Sequence, residues 1–249
     1  MSSRTLAVIP ARYASSRFPG KPLALIAGKT MIQRVYEAAK RCPDLDDVIV
    51  ATDDQRIYET VLDFKGKATM TSTEHQTGTD RIAEAIQGLD ADLILNIQGD
   101  EPLIDPTVLS ELIAAMRKSG ADMGTAAVPF QLTGRDPQDP NAVKVVCDAQ
   151  GYALYFSRAL IPYDRSGQKQ EQALLHWGLY AYKRKFLEQF VRWPQSRLEK
   201  LEMLEQLRAL ENGAKAWVLQ TDKISMGVDT PADLKMVEDI IRKQQKNNV

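Results

Sequence analysis

Thr5-Leu6-Ala7-Val8-Ile9 runs directly into Pro10-Ala11-Arg12-Tyr13-Ala14-Ser15-Ser16-Arg17-Phe18-Pro19-Gly20-Lys21-Pro22. The first five residues are apolar or β-branched without a break. They read as a strand buried on both faces, the kind a parallel sheet uses. The basic, turn-rich stretch behind it reads as a loop leaving that strand's carboxyl end. Working outward, the same rhythm recurs. Residues 47–52, 67–71, 93–98 and 123–129 are predicted strands, and 31–41, 55–64, 79–88 and 106–119 are predicted helices between them. Val48-Ile49-Val50-Ala51 and Leu93-Ile94-Leu95 are again continuously apolar. This alternation predicts an α/β fold, with a predominantly parallel central sheet and helices on both faces.

Beyond about residue 130 the rhythm changes. Residues 134–141 hold Pro137 and Pro140 and read as a loop. Segments 143–147 and 152–157 read as a hairpin turning at 148–151, and 167–172 as a polar excursion. A strand at 175–182, helices at 185–191 and 198–211, a strand at 216–219 and a helix at 230–243 complete the chain. Gly213 stops the second of these helices, and Thr230 with Pro231 starts the last. The result is a smaller β-rich excursion on the α/β core. Nothing reads as a linker, so residues 1–249 are expected to form a single domain.

Composition excludes several classes. A formal net charge of −1 over 249 residues gives no electrostatic reason to expect nucleic acid. Cys42 and Cys147 are the two cysteines, in no ligand-like spacing. No apolar run approaches the roughly 18–20 residues needed to span a bilayer, and residues 1–5 lack a signal-peptide apolar region. The expectation is a soluble, cytoplasmic protein.

Against that neutral background the first loop stands out. Arg12, Arg17 and Lys21 put three cations within ten residues, with Ser15 and Ser16 beside them and Gly20 to let backbone N–H groups approach an anion. In open α/β sheets, ligands bind at the carboxyl ends of strands. The loop therefore reads as a polyanion grip, the alternative being a solvated basic surface. Gly28-Lys29-Thr30 imitates the end of a Walker A loop, but Leu23 stands where that pattern needs glycine. No GxGxxG follows a strand, so a dinucleotide redox enzyme loses its main support.

These segments resemble the nucleotidyltransferases that make activated sugars, and among them the cytidylyltransferases that activate 3-deoxy-manno-octulosonate (Kdo). The resemblance begins at Ile9-Pro10-Ala11-Arg12 and Ser16-Arg17-Phe18-Pro19-Gly20-Lys21-Pro22. It continues through Val50-Ala51-Thr52-Asp53, Thr77-Gly78-Thr79-Asp80-Arg81 and Asn96-Ile97-Gln98-Gly99-Asp100-Glu101-Pro102. Asn141-Ala142-Val143-Lys144, the run 152–158, the run 202–208 and Val228-Asp229-Thr230-Pro231 extend it over nearly the whole chain. It implies a Rossmann-like nucleotide-diphospho-sugar transferase fold, with residues 1–130 mainly nucleotide-binding and 131–249 mainly sugar-binding and dimerising. It also implies the reaction CTP + Kdo → CMP-Kdo + diphosphate, for lipopolysaccharide synthesis, with Mg²⁺ as cofactor in a homodimer. The hairpin and residues 160–175 are the expected dimer interface.

Asp100, just past the strand at 93–98, and Asp229, in the loop before the last helix, are plausible metal ligands; a turn aspartate and a helix-start aspartate are the bland readings. The expected catalytic set is Arg12, Lys21, Asp100 and Asp229. For CTP the resemblance points to Pro10, Ala11, Arg12, Ser16, Arg17, Lys21, Ala51, Thr52, Asp53, His75, Gly78, Thr79, Arg81, Gln98 and Gly99. Locally, Arg81 either reaches phosphate or pairs with Asp80, and His75 reads as a solvated loop histidine. Asp90-Ala91-Asp92 looks like a glycosyltransferase metal motif but precedes its strand, so it reads as a solvated turn. For the sugar, the resemblance points to Gln98, Arg158, His176, Tyr180, Glu205 and Gln206. On the residues alone His176 and the alternating Tyr180 and Tyr182 fit packing equally well, and which tyrosine faces the sugar stays open.

Overall fold

The structure, a computed structural model, describes residues 4–14, 18–167 and 173–247. Ser16 and Arg17 therefore lie outside the described residues, as does the polar stretch 168–172. The chain divides into two compact units, residues 1–110 with 225–249, and residues 111–224.

The first unit begins with β1, Thr5–Ala11, then a short hairpin, β2 (Leu25–Ile26) and β3 (Lys29–Thr30), leading into α1, Met31–Lys40. β4 (Asp47–Thr52), α2 (Gln55–Asp63), β5 (Ala68–Met70), α3 (Gly78–Ala85) and β6 (Leu93–Asn96) follow. β1 pairs in parallel with β4 on one side and β6 on the other, and β5 pairs in parallel with β4. Burial explains the apolar runs: Ala7, Val8, Ile9, Val48, Val50, Ile94 and Leu95 are inaccessible to solvent. Such strands are covered on both faces, which a parallel sheet flanked by helices provides. Helix starts follow local chemistry. Thr30 accepts from Gln33 N–H at the head of α1, Asp54 from Arg56 N–H at α2, and Thr77 from Asp80 N–H at α3. The false Walker segment is the small hairpin itself. Ala27 and Gly28 turn it with φ of 46° and 81°, and Thr30 is the cap of α1 rather than a phosphate ligand.

α4, Pro106–Ser119, carries the boundary between the units. The second unit is built on a mixed sheet. β7 (Met123–Pro129) pairs antiparallel with β10 (Leu174–Lys183) and parallel with β11 (Ala216–Gln220). β8 (Lys144–Cys147) and β9 (Ala153–Ser157) form the expected hairpin, and β8 also pairs with β10. Gly151, at φ 95°, sits in the hairpin turn where Asp148 N–H donates to Tyr152 O. α5, Arg184–Phe190, precedes a helical segment that differs from its prediction. Instead of one helix over 198–211 there are two, α6 (Arg197–Glu202) and α7 (Gln206–Glu211). Met203 breaks them by adopting φ 53°, ψ 47° as the cap of α6. Period-3.6 patterning runs through such a corner unchanged, because Leu204 and Leu207 still point into the core with Phe156 and Val218. Gly213, at φ 77°, ends α7 as expected.

α8, Pro231–Asn247, returns to the first unit, packing Val237 and Ile241 against Ile26 and Met31. The architecture is the α/β fold with a β-rich excursion that the alternation implied.

Candidate active site

Parallel strands deliver their carboxyl ends to one edge. Pro10 and Ala11 of β1 stand in register with Ala51 and Thr52 of β4, and Gly99 lies just past β6. Close approach at this edge depends on small residues. A Cβ on Gly99 would come 3.1 Å from Pro10 O, and one on Gly78 3.3 Å from the Pro10 ring. The edge opens into a cavity of about 700 Å³ lined by Pro10, Ala11, Arg12, Ala14, Pro19, Lys21, Pro22, Gln98, Gly99, Asp100 and Asp229. Eight of these residues were singled out from the sequence.

In its lining, Lys21 Nζ lies 2.6 Å from Asp100 Oδ2 and 3.4 Å from Asp229 Oδ1. The two aspartates, 129 positions apart, meet for a backbone reason: Val228 N–H donates to Asp100 O at 2.9 Å. Asp233, one turn into α8, fixes the following turn by accepting from Asp229 N–H at 3.0 Å and Thr230 N–H at 2.8 Å. Lys21 is placed by the glycine before it. Gly20 takes φ 70°, and its N–H donates to Tyr13 O at 2.9 Å, closing the loop's two ends on each other. The Tyr13 ring covers Gly20, and the Arg56 guanidinium stacks 3.4 Å from that ring's centre while bonding Asp54 through Nε and an Nη. Nothing in the sequence pattern marks Arg56 as part of this loop's support; for Tyr13 the signal is Gly20, an αL residue seven positions after an aromatic.

Of the remaining nucleotide candidates, Asp53 and Arg81 hold each other. Arg81, 3% exposed, donates to Asp53 Oδ2 at 2.6 Å and to Thr71 Oγ1 at 2.5 Å. Asp80 is not its partner, because Asp80 accepts from the Thr77 hydroxyl at the cap of α3. Thr79 is buried at the start of α3, and His75 contacts Glu84 rather than standing solvated. The Ser72 N–H, followed by His75, keeps the Glu84 carboxyl below its usual range despite burial. Gln98 donates to Asn96 Oδ1 at 3.2 Å. Asp92 sits at the opposite, amino end of β6 as a turn residue, bonding Arg4 N–H.

The second unit gathers the acceptor candidates. The His176 imidazole packs edge-on to Phe156 and beside Tyr180, with Nε2 3.0 Å from Thr125 Oγ1. Although the residue as a whole keeps some exposed surface, the ring is enclosed, and burial pulls its pKa down to about 3. Burial and the Glu205 carboxylate push the Tyr180 phenol far above its ordinary range. Tyr182 stacks on Tyr180 and continues into an aromatic cluster with Phe186 and Phe190, so its role is packing. Glu205 lies 3.5 Å from Arg208, and Gln206 is buried at the start of α7. Arg158 donates to the carbonyls of Glu202 at 2.7 Å, Pro140 at 2.9 Å and Met203 at 3.4 Å. Those bonds fasten the corner at Met203 to β9. Glu202 returns the grip, accepting from Ser157 Oγ and Arg158 N–H, while fully buried Lys144 donates to Arg158 O at 2.6 Å.

The family model described as Cytidylyltransferase matches residues 6–222. A 3-deoxy-manno-octulosonate cytidylyltransferase of Syntrophotalea carbinolica is 53% identical, covering 95% of this chain and 98% of its own. The chain belongs to the 3-deoxy-manno-octulosonate cytidylyltransferase family. A solved structure of CMP:2-keto-3-deoxy-manno-octonic acid synthetase complexed with CTP superposes with a TM-score of 0.92 at 41% identity, covering 97% of this chain and all of the other. A 4-diphosphocytidyl-2C-methyl-D-erythritol synthase from Anaerococcus prevotii reaches a TM-score of 0.62 at 14% identity over 96% of each chain, a likeness of fold alone. Lys144, Arg158 just past β9 and the Glu202–Met203 corner are three separate stretches of sequence joined by one hydrogen-bonded network.

Proposed function

We propose that this protein is a Mg²⁺-dependent cytidylyltransferase catalysing CTP + Kdo → CMP-Kdo + diphosphate. The observation that carries this reading is the Lys21–Asp100–Asp229 constellation in the lining of the carboxyl-edge cavity. The donor set fits magnesium. Among the described residues no three His, Cys, Asp or Glu side chains converge on one point, and two carboxylates completed by phosphate oxygens and water are what Mg²⁺ commonly takes. Asp100 and Asp229 would hold it. Bound there, it would neutralise the α-phosphate and lower the pKa of the attacking hydroxyl.

The protein's own residues position and stabilise charge. The anomeric hydroxyl of Kdo, giving its proton to water, attacks the α-phosphorus in line; a new P–O bond forms, the bond to the bridging oxygen of the β-phosphate breaks, and diphosphate leaves with its electron pair. Arg12 and Lys21, and Arg17 from the same loop, neutralise the leaving diphosphate. Gly20 and Gly99 keep backbone close to the nucleotide, with Ala51 and Thr52 flanking it at the end of β4 and Gly78 at the start of α3. On the acceptor side, His176, Tyr180, Glu205 and Gln206 offer the polar groups for sugar hydroxyls. The decisive experiment is diphosphate release from each of the four NTPs with Kdo, with and without Mg²⁺. Release from CTP alone, dependent on both Kdo and metal, is the expected result; release without Kdo, or none with any nucleotide, overturns the reading.

The same reading makes the protein a cytoplasmic homodimer. Supporting the latter, the β8–β9 hairpin exposes Leu154 and borders an apolar depression with Tyr155, Ile161, Pro162 and Leu174. Light scattering on the eluting protein gives the mass directly. Among the described residues, no helix is long and apolar enough to cross a membrane.

A further inference from the structure

Lys21 is both the loop's phosphate-directed cation and the ion-pair partner of both aspartates expected to hold the metal. One ammonium cannot serve the carboxylates and a triphosphate in full at once. We infer that Lys21 makes metal binding conditional on nucleotide: its ammonium stands in for the divalent cation between Asp100 and Asp229, and nucleotide phosphate draws it away. This rests on the reading of these aspartates as metal ligands.

The geometry favours exchange over a permanent pair. The Lys21 side chain is 15% exposed, but Asp100 is 31% and Asp229 48% exposed, so water reaches both carboxylates. Two carboxylates held side by side repel unless a cation lies between them. Without nucleotide, Lys21 supplies that charge and a divalent ion must compete with a tethered ammonium. A triphosphate offers Lys21 a denser anion within the same cavity and brings further oxygen ligands for the metal. The two events then favour each other, and coupling of this kind is reciprocal. The consequence for function is selection of the metal–nucleotide complex over free metal.

The probe is Mn²⁺, with free ion counted by electron paramagnetic resonance on metal-stripped, nucleotide-free protein. Lys21→Met is expected to bind Mn²⁺ at least tenfold more tightly than the wild type, with Lys21→Arg remaining weak. Arg12→Met removes an equal charge from the exposed side of the same loop and is expected to change the affinity less than twofold. A gain in Arg12→Met equal to that in Lys21→Met would reduce the effect to net charge and overturn the inference. So would equal Mn²⁺ affinity in Lys21→Met and wild type. Circular dichroism and a thermal melt confirm folding, with Lys21→Gln as the second neutral variant. If the wild type binds no Mn²⁺ even with CTP present, and Asp100→Asn changes nothing, it is the metal reading that fails.

Discussion

Charged groups are used in opposite ways in the two units. In the first, Lys21, Asp100 and Asp229 pair across a water-accessible cavity. In the second, Arg208 and Glu199 are 5% and 6% exposed and joined by two bonds of 2.6 and 2.8 Å. Glu199 is also the partner of Ser196 in a capping box at α6. A second network in this unit ties fully buried Lys144 to half-buried Arg158 and Glu202. An exposed pair contributes little to stability and can be exchanged. A buried pair is costly to break, because one charge is left without its counter-ion. The first arrangement suits chemistry and the second suits holding a corner in place.

Four substitutions break or sharpen that contrast. The largest effect is expected from Asp100→Asn, which removes a charge from the exchangeable set. kcat/KM should fall about a thousandfold, roughly 4 kcal/mol of transition-state stabilisation, while the melting temperature stays near wild type; near-normal turnover in the folded variant removes Asp100 from the machinery. Arg208→Met should do the reverse. Stranding Glu199 should cost about 3–4 kcal/mol in denaturant unfolding, and a loss under 1 kcal/mol would mean the pair is not shielded as described.

Third, His176 supplies a pH signature. Its folded pKa, about 3, lies below the unfolded value near 6.5. The unfolded chain therefore takes up a proton that the folded chain refuses. This term is absent above about pH 6.5, and stability is lost as pH falls from there toward 3. At pH 5 the difference is about 2 kcal/mol. His176→Gln should flatten the stability profile between pH 7.5 and 5 by that amount, and an unchanged slope would place the titration elsewhere. The smallest effect belongs to Gly20→Ala. Its φ of 70° costs an L-residue about 1–2 kcal/mol, and the new methyl would lie 3.0 Å from the Tyr13 ring. A rise of several-fold in KM for CTP with kcat little changed is expected; a reduced kcat alone would show that the loop acts after binding.

The sequence by itself determined the strands of the first unit, the loop that leaves β1, and the residues at its end. Each is a local property: an apolar run needs burial on both faces, and cations clustered with glycine need an anion. Spacing alone excludes a Walker loop at Gly28-Lys29-Thr30, because Leu23 stands where that pattern needs glycine. Tertiary structure decided the pairings. Period-3.6 patterning could not reveal the break at Met203, because the core face continues on both sides of it. Arg81 found Asp53 rather than its sequence neighbour Asp80, since a helix-start aspartate is drawn to its own cap. Above all, nothing local joins residues 100 and 229. A backbone hydrogen bond from Val228 to Asp100 brings their carboxylates to one ammonium, and only the folded chain supplies it.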